Sequence, residues 1–298
     1  MKSLKSKILL CFLMCFGATY VQAEHDHSVP EAHSAKKLIT TVKNQTVVLQ
    51  KSNTVVLNTS FNSKSIAVLQ RQILEKDREL DAGVPIYLFL DTPGGSVVAG
   101  NDLIELMSGL NREIITVTKF AASMGFHTVQ AGGKRLIMST GVLMSHRARG
   151  GSRGQIPGEL NVRVNFWTHY INNLNRQSAK RIGISFKKYH RKHTNEWWLT
   201  GKRAVYKKTA DEVVKVKCGK TMTGTYTQKI NTMFGSYKVE FLQCPLVSAP
   251  IRVRRSRNSS GVETKAEMES HQAVMMMLFN KRQFLDNYIV TGKQSPLF

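Results

Sequence analysis

The chain has 298 residues, 42% of them apolar, with 43 Lys and Arg against 20 Asp and Glu for a formal net charge of +23, and 4 Cys. These values fit a globular protein able to bury a sizeable core; they exclude a collagen-like chain, a disulfide-dense miniprotein and wholesale disorder. The positive excess suits anionic partners in general and selects neither nucleic acid, membrane surface nor acidic protein.

Lys2, Lys5 and Lys7 lead into an apolar run at residues 8–17, and Val21-Gln22-Ala23 places small residues where a signal peptidase reads. Residues 1–23 are therefore expected to be a secretory signal peptide cleaved after Ala23, leaving a periplasmic or secreted protein. An apolar core of about ten residues is half of what spans a bilayer. Met14 is too bulky to precede a lipidated Cys15, so no lipoprotein anchor is expected. Cys11 and Cys15 leave with the signal; Cys218 and Cys244 remain, and an oxidising compartment would pair them as a disulfide. Residues 24–45 hold His25, His27 and His33 among Ser, Pro and Ala with no apolar period, which reads as a mobile arm. Nothing fixes a metal geometry there, and neither a metal nor a cofactor is expected.

Residues 46–57 have a β-like pattern, and residues 65–80 carry Ile66, Leu69, Ile73, Leu74 and Leu80 near helical spacing. The apolar run 86–90 suits a strand covered on both faces; Asp91-Thr92-Pro93-Gly94-Gly95-Ser96 then turns the chain into a helix ending near Leu110. A strand at 114–118, a short helix of small residues at 121–131 and a strand within 135–143 follow. The alternation predicts an α/β layered fold with right-handed crossovers. A glycine-rich basic loop at 150–158 precedes a long helix at 160–181, with Val164, Trp167, Ile171 and Leu174 on one side. Beyond Val214, alternating Thr, Gly, Tyr and Lys between the two cysteines suit a twisted hairpin or two. Arg252, Arg254, Arg255 and Arg257 with the following Asn-Ser-Ser-Gly read as a solvated basic linker, and residues 262–288 as a terminal helix for packing or assembly.

Two residues stand out chemically. Ser123, in Ala-Ala-Ser-Met-Gly, falls where a buried strand gives way to a helix, a turn that exposes a nucleophile beside helix N-terminal amides. His146, in Leu-Met-Ser-His-Arg, follows another strand at a separation that adjacent strands can close, and a serine needs such a base to take its proton. Gly94 and Gly95 can present unhindered amides, with that of Met124 converging, as an oxyanion requires. A tight turn with close helix packing explains the same residues without chemistry. A phosphate loop fits poorly, because no Lys-Ser or Lys-Thr follows at the needed spacing.

Thr92-Pro-Gly-Gly-Ser-Val with Ala99-Gly100, Ala121-Ala-Ser-Met-Gly, Ala131-Gly-Gly-Lys-Arg and Met144-Ser-His-Arg through Gly150-Gly151 resemble, in order, the core of the ClpP-type serine peptidases, over roughly residues 46–214. The resemblance implies a crotonase-like fold of repeated β-β-α units, with a C-terminal extension at 215–298. It also implies Ser123 as nucleophile, His146 as general base, Gly95 and Met124 as oxyanion donors, peptide substrates and a homo-oligomeric ring. The segment after His146 and the helix from Leu160 match the part that binds extended peptides and assembles rings.

Two departures qualify it. The family's catalytic aspartate precedes an aromatic-Leu-Ser or aromatic-Leu-Thr sequence, here Trp198-Leu199-Thr200; an ungapped match puts Lys192 there, and one gap puts His193. Glu196 is the nearest acid and the candidate third member, and Asn195 is a neutral alternative. Active dyad and catalytically dead scaffold both stand open. Second, an exported protein lacks ATP, so no ATPase partner is expected. The related signal peptide peptidases use a lysine base, a role for which Lys119, Lys134 and Lys192 are the candidates. The charge suits an anionic envelope surface, and no specific nucleic acid is expected.

Overall fold

The computed structural model describes residues 45–232 and 235–255. The expected signal peptide, almost all of the N-terminal arm and the terminal helix lie outside the described residues.

The β-like stretch at 46–57 is two strands, β1 (Thr46–Leu49) and β2 (Thr54–Leu57), split where polar Gln50 to Asn53 form a turn. Asn62 then starts α1 (Ser63–Glu79): its side chain accepts from the Ser65 amide and its own amide donates to the Ser65 hydroxyl, a reciprocal cap. Ile66, Leu69 and Ile73 are buried, whereas Leu74 faces outward. Next come β3 (Ile86–Thr92), α2 (Val97–Gly109), β4 (Ile114–Ala122), α3 (Met124–Ala131) and β5 (Lys134–Ser145). Then follow α4 (Gly158–Ile182), α5 (Phe186–His193), β6 (Trp197–Thr200), α6 (Gly201–Tyr206) and β7 (Glu212–Cys218). The helix expected from Ala121 begins only at Met124. Ala121 and Ala122 extend β4, pairing with Leu143 and Met144 of β5 in a fully buried position that admits only small side chains.

The main sheet has the order β1-β7-β5-β4-β3-β2, all parallel, with β6 antiparallel on β5. This is the α/β, mostly parallel architecture expected for a crotonase-like fold. Strands β1 and β2, four residues apart, thus occupy opposite ends of the order. Five Cα steps reach at most about 19 Å, whereas five strand spacings need about 24 Å, so the sheet must curl until its edges approach. Packing agrees: Val47 and Leu49 of β1 share one apolar cluster with Phe89 of β3, Val117 of β4 and Val214 of β7. The other face carries the helices over the larger core, which includes Leu103, Phe126, Leu174 and Tyr189. Register shifts at Leu90/Asp91 and Thr118/Phe120 break β3 and β4 just before the residues of interest, re-aiming the strand ends.

Strand β7 runs through Val214, so the main sheet continues past the boundary expected at that residue. After a 3-10 turn (Lys220–Met222), β8 (Thr225–Thr232) and β9 (Gly235–Leu242) form an antiparallel hairpin. Arg252 to Arg255, expected as linker, are instead strand β10 (Arg252–Arg255), paired antiparallel with β9. Val253 packs toward Tyr237 and Val239, and arginines on the outer strand blunt further pairing. A disulfide joins Cys218 to Cys244, which lie 26 residues apart, a closure that stabilises by about 3 kcal/mol. Ser248 ties the same region to the main sheet, its hydroxyl donating to Asp91 Oδ2 (2.9 Å) and accepting from Lys119 Nζ (2.7 Å).

Candidate active site

Ser123 sits between β4 and α3 at φ 56°, ψ −117°, a left-handed conformation that a non-glycine residue adopts only at a cost of about 1–3 kcal/mol. Two bonds hold it there. Its amide donates to Met144 O (2.8 Å) and its carbonyl accepts from Phe126 N (3.0 Å). Because β4 and β5 are neighbours, this fixes the serine beside the end of β5, where Ser145 closes the strand and His146 follows.

Strand β3 delivers the glycines from the other side. Gly94 lies at φ 92° with its α-carbon so near the serine that a β-carbon would come 2.5 Å from Ala122 O, 2.7 Å from Ser123 Cβ and 2.9 Å from Met124 N. Gly95, at φ 142°, is pressed equally hard against the Phe61 backbone. Phe61 N donates to Gly94 O (2.8 Å) and Ser96 N to Phe61 O (2.9 Å), pinning the turn. Met124 is the first residue of α3, so its amide has no intrahelical acceptor. Its side chain fills the space left by Gly100.

His146 is half-buried, and burial, then the Arg149 guanidinium, push its pKa below the usual histidine value against the opposing pull of Glu196. The imidazole is therefore neutral at pH 7 and able to accept a proton. Among the described residues no hydrogen bond joins Ser123 Oγ or either His146 ring nitrogen to another side chain. Glu196 stands near at φ 64°, but its Oε1 accepts from Arg149 Nη2 (3.2 Å) and its Oε2 from Trp198 Nε1 (2.9 Å). Lys192 rests over the Trp197 ring, 5.0 Å from its centroid, and Asn195 is exposed. Lys119 is held by Asp91 (2.8 Å) and Lys134 by Glu212 (3.0 Å). None of the three lysines is presented to Ser123 as an unpaired, buried base.

Buried polar side chains surround His146, and of these Tyr189 and His127 carried no signal in the sequence, whereas His193 did. Tyr189 Oη lies 2.8 Å from Ser145 Oγ, and burial raises its pKa. His127, four residues after Ser123 on α3, places Nδ1 2.8 Å from Ser178 Oγ; burial, then His193 and His146, lower its pKa to about 3. His193 is buried, its pKa lowered to about 4 by burial and then by His190, Arg147 and His146. Among the described residues no group of three or more His, Cys, Asp or Glu is arranged to hold a metal ion, and no helix is long and apolar enough to cross a membrane.

The α/β, mostly parallel sheet is consistent with the crotonase-like fold of the ClpP-type peptidases. A family model for Clp protease matches residues 37–217, and the chain belongs to that family. It is 31% identical over 139 residues to ATP-dependent Clp protease proteolytic subunit 2 of Prochlorococcus marinus (strain MIT 9313), covering 46% of this chain and 69% of that one. It is 29% identical over 149 residues to the subunit 2 of strain NATL2A, covering 49% and 74%. It is also 29% identical over 161 residues to subunit 3 of Synechococcus sp. (strain CC9605), covering 53% and 80%.

Proposed function

We propose that the chain is an exported serine endopeptidase that hydrolyses unfolded or short peptides without an ATPase partner. Ser123 Oγ attacks the scissile carbonyl carbon as its proton passes to His146, and the amides of Gly95 and Met124 receive the oxyanion. His146 then protonates the leaving amine, and water, deprotonated by the same imidazole, releases the acyl group. The observation that carries this reading is the strained φ of Ser123, maintained beside the end of β5 with Gly94 packed against it. Strain of this kind persists only where the surroundings over-determine it, and it favours a presented hydroxyl.

Assembly into a homo-oligomer is part of the proposal. The first half of α4 leaves Val162, Phe166 and Trp167 exposed, with Phe166 and Tyr170 stacked 5.8 Å apart, an apolar face suited to a second copy. Light scattering on the full chain should give a multiple of the subunit mass, and a monomer at micromolar concentration would reject it. If the cationic charge holds the protein on an anionic envelope surface, raised salt should release it.

The activity test is a fluorophosphonate probe applied to the purified protein, to Ser123→Ala and to His146→Ala. Labelling of the native chain at Ser123 that both variants lose would support the reading; a folded protein that does not label would refute it. One observation favours a second reading, a catalytically impaired peptide-binding scaffold: both carboxylate oxygens of Glu196 are engaged away from His146.

A further inference from the structure

Resting on the serine-peptidase reading, we propose that His193 is the positioning residue for His146, a second, neutral imidazole that accepts the Nδ1 proton of His146 and so turns Nε2 toward Ser123. The first ground is an unpaired atom. His193 is 1% exposed, and its Nδ1 is buried with no hydrogen-bond partner. Buried polar atoms are rarely left without a partner, so this nitrogen is available to a donor brought against it.

The second ground is placement. Both residues flanking His146 are bonded to the segment that carries His193. Ser145 Oγ meets Tyr189 Oη at 2.8 Å, and the Tyr189 ring stands edge-on to the His193 ring with centroids 4.8 Å apart. On the other side Arg147 Nη2 donates to Thr194 Oγ1 at 3.2 Å, the residue after His193. These two ties hold the end of β5 against the end of α5, near enough for a charge on His146 to lower the His193 pKa. Tyr189 and the unoccupied nitrogen together give His193 a fixed ring plane and a free acceptor.

The charged and titratable groups that face this pair come from four places. His127 faces it from α3, His190 from α5, Arg147 and Arg149 from the loop after β5, and Glu196 from the lead into β6. Cations outnumber the single carboxylate, so His193 stays neutral at pH 7 and keeps a lone pair for a donor. A neutral partner can set the tautomer of His146, but it cannot stabilise the imidazolium as a carboxylate does. The expected enzyme is slow, and works at lower pH than one with an acid at this position.

The test uses the full chain with His193→Ala, His193→Asn, His193→Asp and Glu196→Gln, with Ser123→Ala as the blank. Two readouts are needed: the rate of fluorophosphonate labelling against pH, and the pKa of His146 from deuterium exchange at its C2 position, which requires no activity. His193→Ala should slow labelling roughly tenfold to a hundredfold, the range a misplaced catalytic group costs. Asn accepts a hydrogen bond and should restore most of the rate. His193→Asp should raise the pKa of His146 by about one unit or more and carry the acid limb of labelling upward with it. Glu196→Gln should label within about threefold of the native chain. Native-rate labelling in His193→Ala, an unmoved His146 pKa in His193→Asp, or the large loss appearing in Glu196→Gln instead would each overturn the proposal. A native protein that does not label, while the pKa of His146 still follows residue 193, would overturn the nucleophile reading and leave the histidine pair intact.

Discussion

The two halves of the candidate site are built from different materials. The serine side is held mostly by backbone: the positive φ of Ser123, its amide bond to Met144 O, Gly94 closing on Met124 N, and the Phe61 bridge to the glycine turn, with the Thr92 hydroxyl accepting from Gly94 N as the side-chain exception. On the histidine side everything is side chain: Tyr189 on Ser145, Arg147 on Thr194, and Arg149 and Trp198 on Glu196. Backbone arrangements tolerate almost any residue away from a few glycines and alanines, so they persist as a sequence diverges. Side-chain arrangements change with each substitution. The third member, where the sequence is expected to depart from the family's pattern, accordingly lies on the histidine side.

Substitutions that strike the two sides should differ in kind. The largest effect is expected from Gly94→Ala, which forces a β-carbon into the Ala122 carbonyl and the serine turn at a φ that disfavours any side chain. Labelling should fall about a hundredfold or more, whereas change below threefold would show that the turn is not rigid. Next is acid stability. His127 has a folded pKa of about 3, below the unfolded value of 6.5, so its contribution is whole above pH 6.5 and is lost as pH falls toward 3. Urea melts should show a loss of about 2 kcal/mol between pH 6.5 and 5, shrinking in His127→Gln, and a flat profile would contradict a neutral buried ring.

Smaller still is Arg149→Gln. Removing a cation that holds the His146 pKa down should move the acid limb of labelling to higher pH, by less than about one unit because the guanidinium is half exposed. The smallest is Glu196→Gln, which removes the one upward pull and should shift the same limb slightly lower. Equal and same-direction shifts in the two variants would show that neither acts on His146 through its charge.

The serine side was legible because it depends on local pattern. A continuous apolar run ending in Thr-Pro-Gly-Gly, and two alanines before a serine, declare a buried strand and a crowded turn. The helix start at 121 was misplaced because small residues serve equally in a helix and at the buried end of β4. The split of residues 46–57 was hidden because β1 pairs with β7, whose residues lie some 170 positions on. Tyr189 and Ser145 are 44 residues apart and His127 and Ser178 are 51 apart, and no periodicity signals that such polar side chains will meet.

The pairing of β1 has a consequence for how the protein comes into being. Thr46 to Leu49 pair with Lys215 to Cys218, and Leu49 O accepts from Gly219 N, so the first described strand has no sheet to join until synthesis has passed Cys218. Nearly the whole domain must therefore be extruded before its barrel-like curl can shut, a non-local closure of the kind that makes folding slow. Until then the apolar edge of Val47 and Leu49 is uncovered, and a nascent chain in that state would be the form most in need of a chaperone.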